Sequence, residues 1–405
     1  NEYAPRLFAT AREALKRLMA GYEVVVIEGA GSPAEVNLME HEIVNMRVAR
    51  AAGAPVLLVA DIERGGALAA LVGTLALLPP ADAARVAGLV INKFRGDISL
   101  FEPAVGFLEE RTGVPVLGVL PYYHDLRIQE EDSLGVWQPA GRNSADLDIV
   151  VLRLPHLSNF TDFDPLQDEP AVSLRYVWTV AELGRPDLVI IPGSKNTIED
   201  LVALKESGLA EAVISLAGAG LPVAGICGGF QMLGQKLRDP LHTESDIAEM
   251  DGLGLLPMTT VFEADKITCQ ARGAMAGQGP LLAPGRGFPV CGYEIHMGRS
   301  TFTARLAPVV RLTERAGREV DQRDGAESSD GLVFGTYLHG LFDNDGFRAA
   351  FLTALRRRKG LTGEWARGPA SEARRQDDLD GLAALVRENL DLERVYALLG
   401  LPGPK

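Results

Sequence analysis

What most limits the fold of this chain is a recurring pair: a short, wholly apolar run followed by a segment whose apolar residues repeat at helical spacing. "EVVVIEG" at 23–29, "APVLLVADI" at 54–62, "VAGLVINKF" at 86–94 and "VPVLGVLPY" at 114–122 are such runs. Helical periodicity precedes or separates them, from Ala11 to Leu18, near 40–51 and over 66–78. Apolar strands alternating with helices predict a parallel sheet covered on both faces.

Periodicity lapses in "QEEDSLGVWQPAGRNSADL", which places a domain boundary near 130–147. A second α/β series follows, with strands predicted in "DIVVLRLP", "SLRYVWTV", "DLVIIPGS", "LPVAGIC", "FPVCGYEIH" and "GLVFGTYLH". A helix is expected over 197–207, and another just after Cys227, where Phe230, Leu233 and Leu237 recur at helical spacing. "ARGAMAGQGPLLAPGRG" at 271–287 reads as a surface excursion, and the chain from about 346 onward reads as helical. The predicted domains are 1–145 and 146–360, with a helical extension over 361–405.

The formal charge of -14 gives a nucleic-acid backbone no attraction, so none is expected as partner. No run approaches the roughly 18 apolar residues that span a bilayer, so no membrane partner is expected either. The three cysteines, 227, 269 and 291, have neither metal-site nor disulfide-framework spacing, which favours a reducing compartment, the cytoplasm.

Cys227 closes the apolar run "LPVAGI" and opens "GGFQMLG". A cysteine between a strand and a helix meets backbone N–H groups that favour a thiolate, and glycines beside it let a carbonyl approach. Free cysteines are also common core residues, and spacing alone leaves both readings open. A nucleophile needs a base. His339 ends the run "LVFGTYL" and precedes Gly340, which would place it at the carboxyl edge of a parallel sheet; His296 in "GYEIHMG" is the rival. "DLVIIPGS" could present the Gly193 N–H at the same edge.

In the first series three strand ends carry polar groups: Glu28, Asp61, and Asn92 with Lys93. Their convergence on one edge would make a ligand site, with Glu28 and Asp61 suited to Mg²⁺ and Gly29 and Gly31 allowing phosphates near the backbone. No GxxxxGK[ST] motif occurs in the chain.

"GICGGFQMLG" and "PGS" resemble the nucleophile turn and oxyanion loop of class I glutamine amidotransferases. The resemblance implies that Cys227 attacks the amide of L-glutamine, that His339 serves as base, and that Gly193 and Gly228 bind the oxyanion and glutamine. The usual pattern has a glutamate two residues after the histidine, where this chain has Leu341. Glu294 is a possible replacement. The first series resembles the P-loop ATP-dependent amide synthetases related to dethiobiotin synthetase, with Glu28, Gly29, Gly31, Asp61 and Asn92 at nucleotide-binding positions and Mg²⁺ on Glu28 and Asp61. On that template the phosphate loop belongs to a strand upstream of Asn1, so the first domain is expected to be incomplete and to use ATP poorly.

"NKFRGD" at 92–97, "VVLRLPHLSNFTDFDPL" at 150–166 and "GYEIHMGRS" at 292–300 together resemble the cobyric acid synthases. That resemblance implies amidation, driven by ATP and glutamine, of the b, d, e and g carboxylates of the corrinoid adenosylcobyrinic acid a,c-diamide. His156, Asn159 and Asp162 then fall at the domain junction, either touching substrate or fixing an interface. Cobyrinic acid a,c-diamide synthase, a glutaminase with a regulatory nucleotide domain, and a non-enzymatic binding protein remain as alternatives. Oligomeric state has no signature in the sequence.

Overall fold

A computed structural model describes residues 4–63, 65–123 and 145–403. The chain forms two compact units, Asn1–Ile128 with Gln376–Lys405, and Gln129–Arg375. The boundary expected near 130–147 lies, as far as residue 144, outside the described residues. Residues from 376 onward, expected within a C-terminal extension, pack in the first unit: Asp391 N–H donates to the Leu117 carbonyl at 2.7 Å.

In the first unit Val56–Asp61, Val86–Phe94 and Val116–Pro121 form a parallel sheet in that order. Helices Ala67–Leu77 and Glu102–Thr112 supply apolar side chains to its core, in which Leu71, Leu89, Ile91 and Leu108 are buried. The strand expected over 23–29 is absent. Those residues have no regular structure, and Val26 is 91% exposed. A β-branched run becomes a strand only when a neighbour satisfies its N–H and C=O groups, and no strand of the described sheet pairs with this one.

The second unit is built on a six-stranded sheet in the order Ala326–Glu327, Val333–Thr336, Val223–Ile226, Leu188–Ile191, Leu147–Leu152, Val172–Val177. All neighbouring pairs are parallel except the first. The four middle strands are almost entirely buried, as runs covered on both faces must be. Five of the six expected strands of this series join the sheet. "FPVCGYEIH" does not: Pro289–His296 enters a separate antiparallel sheet with Ile267–Met275, Val310–Arg315 and Arg318–Asp324.

The excursion expected at 271–287 is likewise corrected. Ile267–Met275 is a paired strand, and Leu281 and Leu282 are buried in the core. Small residues serve close packing here: a Cβ on Gly273 would lie 2.3 Å from the Arg311 carbonyl oxygen of the neighbouring strand. The helix after Cys227 is also shorter than its periodicity suggests. It ends at Met232, and Leu237 lies in the strand Lys236–Arg238. Gly234 allows that break, since a Cβ there would come within 2.9 Å of the Met258 carbonyl oxygen. The helices Asp345–Arg358, Ser371–Asn389 and Leu392–Leu398 agree with the helical pattern expected at the C-terminus.

Candidate active site

Cys227 follows the strand Val223–Ile226 directly and adopts φ 52 and ψ -108, a left-sided backbone that residues bearing a Cβ rarely adopt. The conformation is fixed from several sides. Cys227 N–H donates to the Thr336 carbonyl at 2.8 Å, and Gln231 N–H donates to the Cys227 carbonyl at 3.0 Å. Gly225 and Gly229 let the turn fold onto the sheet: a Cβ on Gly229 would sit 1.9 Å from the Ile191 carbonyl oxygen. The thiol is buried and donates to the Ile295 carbonyl at 3.4 Å.

Gly193, Gly228 and His339 come to the same place. A Cβ on Gly228 would meet Ser194 N at 3.0 Å, and one on Gly193 would meet His339 Cε1 at 3.2 Å. Gly193–Ser194 is anchored by antiparallel pairing with Leu157–Ser158. His339 lies just beyond the strand Val333–Thr336, next to the strand that ends in Cys227. The carboxyl ends of neighbouring strands thus bring Cys227, Gly193 and His339 to one edge, with Gly228 beside the loop of Gly193.

His339 is fully buried. Its Nδ1 is 2.7 Å from Asp162 Oδ2, and Asp162 Oδ1 accepts the Gly340 N–H at 2.8 Å. Tyr293 stacks on the imidazole at 5.1 Å, and its hydroxyl accepts a 2.6 Å hydrogen bond from Asn159 Nδ2. Among the described residues His339 Nε2 has no partner at hydrogen-bond geometry, and the Cys227 sulfur is the group it interacts with electrostatically. Burial pushes the imidazole pKa down, but the Asp162 carboxylate and then the Cys227 sulfur outweigh it, raising the value to about 10. At neutral pH the ring therefore holds a proton that it can give to a departing amine.

Glu294, weighed as the missing carboxylate, belongs to another cluster. It pairs with Arg315, and its Oε1 is 3.7 Å from His296 Nε2. Residues alternate along Pro289–His296, so Glu294 and His296 share one face while Tyr293 takes the opposite one, against His339. His296, the rival base, stacks on Tyr337 at 3.9 Å. Cys269 and Cys291 are free thiols, beside Glu294 and Asn344 respectively.

Asp162 escaped the sequence reading as a site residue. It sits in the short 3-10 turn Phe160–Phe163, whose only sequence signal is the motif around it, and that motif suggests a substrate contact or an interface, not a partner for His339.

In the first unit Asp61 and Asn92 are register partners at the ends of neighbouring strands, and Lys93 Nζ lies 3.0 Å from Asp61 Oδ2. Glu28, Gly29 and Gly31 are not at a strand end, because the strand that would carry them is not formed. Gly29 and Ala30 instead lie against Asn45, whose side chain exchanges two hydrogen bonds with the Ala30 backbone. Among the described residues no three His, Cys, Asp or Glu side chains gather to hold a metal. A Mg²⁺ carried on nucleotide phosphates needs only one or two protein carboxylates. Asp61 fits that limited role where it stands, and Glu28 is not placed beside it.

Residues 148–347 match the CobB/CobQ-like glutamine amidotransferase domain, and residues 7–130 match the AAA domain, a nucleotide-binding type. Over 403 residues the chain is 56% identical to the cobyric acid synthase of Pelotomaculum thermopropionicum, covering 98% of this chain and 77% of the relative. The cobyric acid synthase of Moorella thermoacetica is 52% identical over the same length with the same coverage. That of Geobacillus thermodenitrificans is 47% identical over 402 residues, again covering 98% and 77%. Among solved structures, PurLQS from Thermotoga maritima is 20% identical with a TM-score of 0.41, covering 52% of this chain and 99% of that one. No helix among the described residues is long and apolar enough to cross a membrane.

Proposed function

The chain belongs to the cobyric acid synthase family, and from that premise we propose how its residues divide the glutamine- and ATP-dependent amidation that marks the family. In the second unit Cys227 is the nucleophile. Its sulfur, as the thiolate whose charge is balanced by the His339 imidazolium, attacks the side-chain amide carbon of L-glutamine and forms a tetrahedral adduct, whose oxyanion faces the backbone at Gly193 and Gly228. The C–N bond then breaks, with His339 giving its proton to the departing nitrogen, so that ammonia leaves and a glutamyl thioester remains. Neutral His339 then takes a proton from the attacking water, the C–S bond breaks, and glutamate leaves with the thiolate and the imidazolium restored.

The first unit is the ATP-dependent half. A corrinoid carboxylate takes the γ-phosphoryl group of ATP, giving an acyl phosphate and ADP, and ammonia displaces phosphate to form the amide. We assign the acceptor as adenosylcobyrinic acid a,c-diamide and the reacting groups as its b, d, e and g carboxylates. Asp61 and Asn92 mark the nucleotide edge, with Glu28, Gly29 and Gly31 as further contacts. Asp61 would hold the Mg²⁺ of the nucleotide, which would neutralise charge on its phosphates, and Glu28 would join it once residues 23–29 pair as a strand beside it. The charge balance and three free cysteines suit a cytoplasmic enzyme.

The observation that best supports the glutaminase half is a cysteine held at φ 52 beside a buried histidine that keeps Nε2 free. In the test, the chain preceded by the phosphate-loop segment that its resemblance implies is incubated with L-glutamine, ATP, Mg²⁺ and the a,c-diamide, and amides added are counted by mass spectrometry. Amidation at b, d, e and g is the expected result. Amidation of the unamidated corrinoid at a and c alone would move the assignment to the a,c-diamide synthases. Glutamine hydrolysis with no amidation of either corrinoid would remove the corrinoid assignment altogether.

A further inference from the structure

We propose that Asp162 is the positioning residue of the glutaminase site, taking over from a segment far upstream the task that a glutamate two residues after His339 performs in the usual class I pattern. The inference rests on the Cys227–His339 reading above. Position 341 cannot supply the carboxylate, because Leu341 is 2% exposed and belongs to the apolar core.

Asp162 meets the requirements one by one. It is 4% exposed, and a carboxylate at that depth persists only if its oxygens are satisfied. Both are: Oδ2 takes the imidazole Nδ1 and Oδ1 takes the backbone N–H of the next residue, Gly340. The carboxylate therefore grips the ring and the chain that carries it. With Nδ1–H committed to Asp162, Nε2 is the nitrogen left for the sulfur and the leaving nitrogen.

The segment bearing Asp162 is itself held against the histidine. Asn159 adopts φ 53 to start the turn and donates to the Tyr293 hydroxyl, while Tyr293 stacks on the ring and exchanges backbone hydrogen bonds of 2.8 and 3.2 Å with His339. Two independent contacts thus fix the imidazole, one in its plane and one across its face. Other groups in this electrostatic neighbourhood are Cys227, Asp164, Asp343, Tyr176 and Tyr293. Burial pushes Asp164 up to about 7 and Asp343 up to about 6, with the Asp162 charge adding to both shifts. Among the described residues neither hydrogen-bonds the imidazole, so Asp162 is its carboxylate partner.

The full 405-residue chain is used for the test, as wild type and as Asp162→Asn and Asp162→Glu. The first readout is NMR titration of the His339 ring in the wild type. It is expected to show a proton on Nδ1 and a midpoint well above the ordinary 6.5. In Asp162→Asn the burial effect stands unopposed by that carboxylate, so the midpoint should fall. Labelling of Cys227 by 6-diazo-5-oxo-norleucine, followed against pH, is the second readout. Its maximal rate should drop by roughly 10²-fold or more in Asp162→Asn, by analogy with loss of the orienting aspartate in serine proteases, with little change in the concentration for half-saturation. Asp162→Glu should recover part of the rate and an elevated midpoint.

A wild-type ring protonated only on Nε2, or titrating at or below 6.5, would overturn the proposal without recourse to any variant. So would a folded Asp162→Asn chain with the wild-type rate and pH profile. Failure of Cys227 to label in wild type, with the His339 titration as expected, would instead strike at the nucleophile assignment.

Discussion

Cys227→Ser is expected to abolish adduct formation with 6-diazo-5-oxo-norleucine and to lower glutamine hydrolysis by at least about 10³-fold, while, in a chain that also carries the upstream phosphate loop, amidation supplied with ammonium salts survives. The substitution nearly preserves volume, and the turn that holds φ 52 is set by backbone hydrogen bonds and neighbouring glycines rather than by the sulfur. What changes is nucleophilicity: a serine hydroxyl at neutral pH needs a neutral base to remove its proton, and His339 is held as an imidazolium. Free ammonia bypasses Cys227 entirely, so ammonium-driven amidation separates loss of the glutaminase from loss of fold. Glutamine hydrolysis at even a tenth of the wild-type rate in the serine variant would end the nucleophile assignment.

Gly229→Ala should be the most damaging single methyl in the second unit. Its Cβ would stand 1.9 Å from the Ile191 carbonyl oxygen and 2.8 Å from that of Pro192, both backbone atoms of the loop leading to Gly193. Relief requires the nucleophile turn and that loop to part. Overpacking of this kind costs about 3 kcal/mol or more when backbone has to move. Thermal unfolding of the second unit should shift down by several degrees, and labelling of Cys227 should fall with it. Gly73→Ala is the control: it lies inside the helix Ala67–Leu77 with nothing within 4 Å of the new methyl, so stability there should hold or rise by about 0.5–1 kcal/mol. Equal melting of Gly229→Ala and wild type would show that the turn is not packed as described.

The legible parts of the molecule are those whose signal is local. An apolar run that ends in a polar residue and a glycine marks a strand reaching the carboxyl edge of a parallel sheet, which puts Cys227, Gly193 and His339 at one edge; the resemblance to class I glutamine amidotransferases, not spacing, singles out their roles. Tertiary geometry hid the rest. The run at 23–29 has strand composition, yet backbone groups become a strand only beside a partner. In 271–287 small residues read as turn-formers, whereas Gly273 is small because two strands approach there.

Sequence position makes Glu294 one possible stand-in, but strand alternation sends it toward Arg315 and away from His339. Asp162 lies in a turn without periodicity, and the hydrogen bond that reveals its part joins positions 177 apart in sequence. No window of sequence contains both ends of that bond.

That separation also orders events in time. On the ribosome the segment carrying Asp162 emerges first, Cys227 next and His339 last, so the nucleophile exists well before the histidine that completes it. The central sheet has the same dependence, because Val333–Thr336 pairs with Val223–Ile226 and supplies the Thr336 carbonyl that holds Cys227 N–H. A nascent or truncated chain ending before residue 333 thus carries a thiol but no competent turn and no base. With the roles proposed for Cys227 and His339, a chain still lacking its last sheet strand would leave glutamine unhydrolysed.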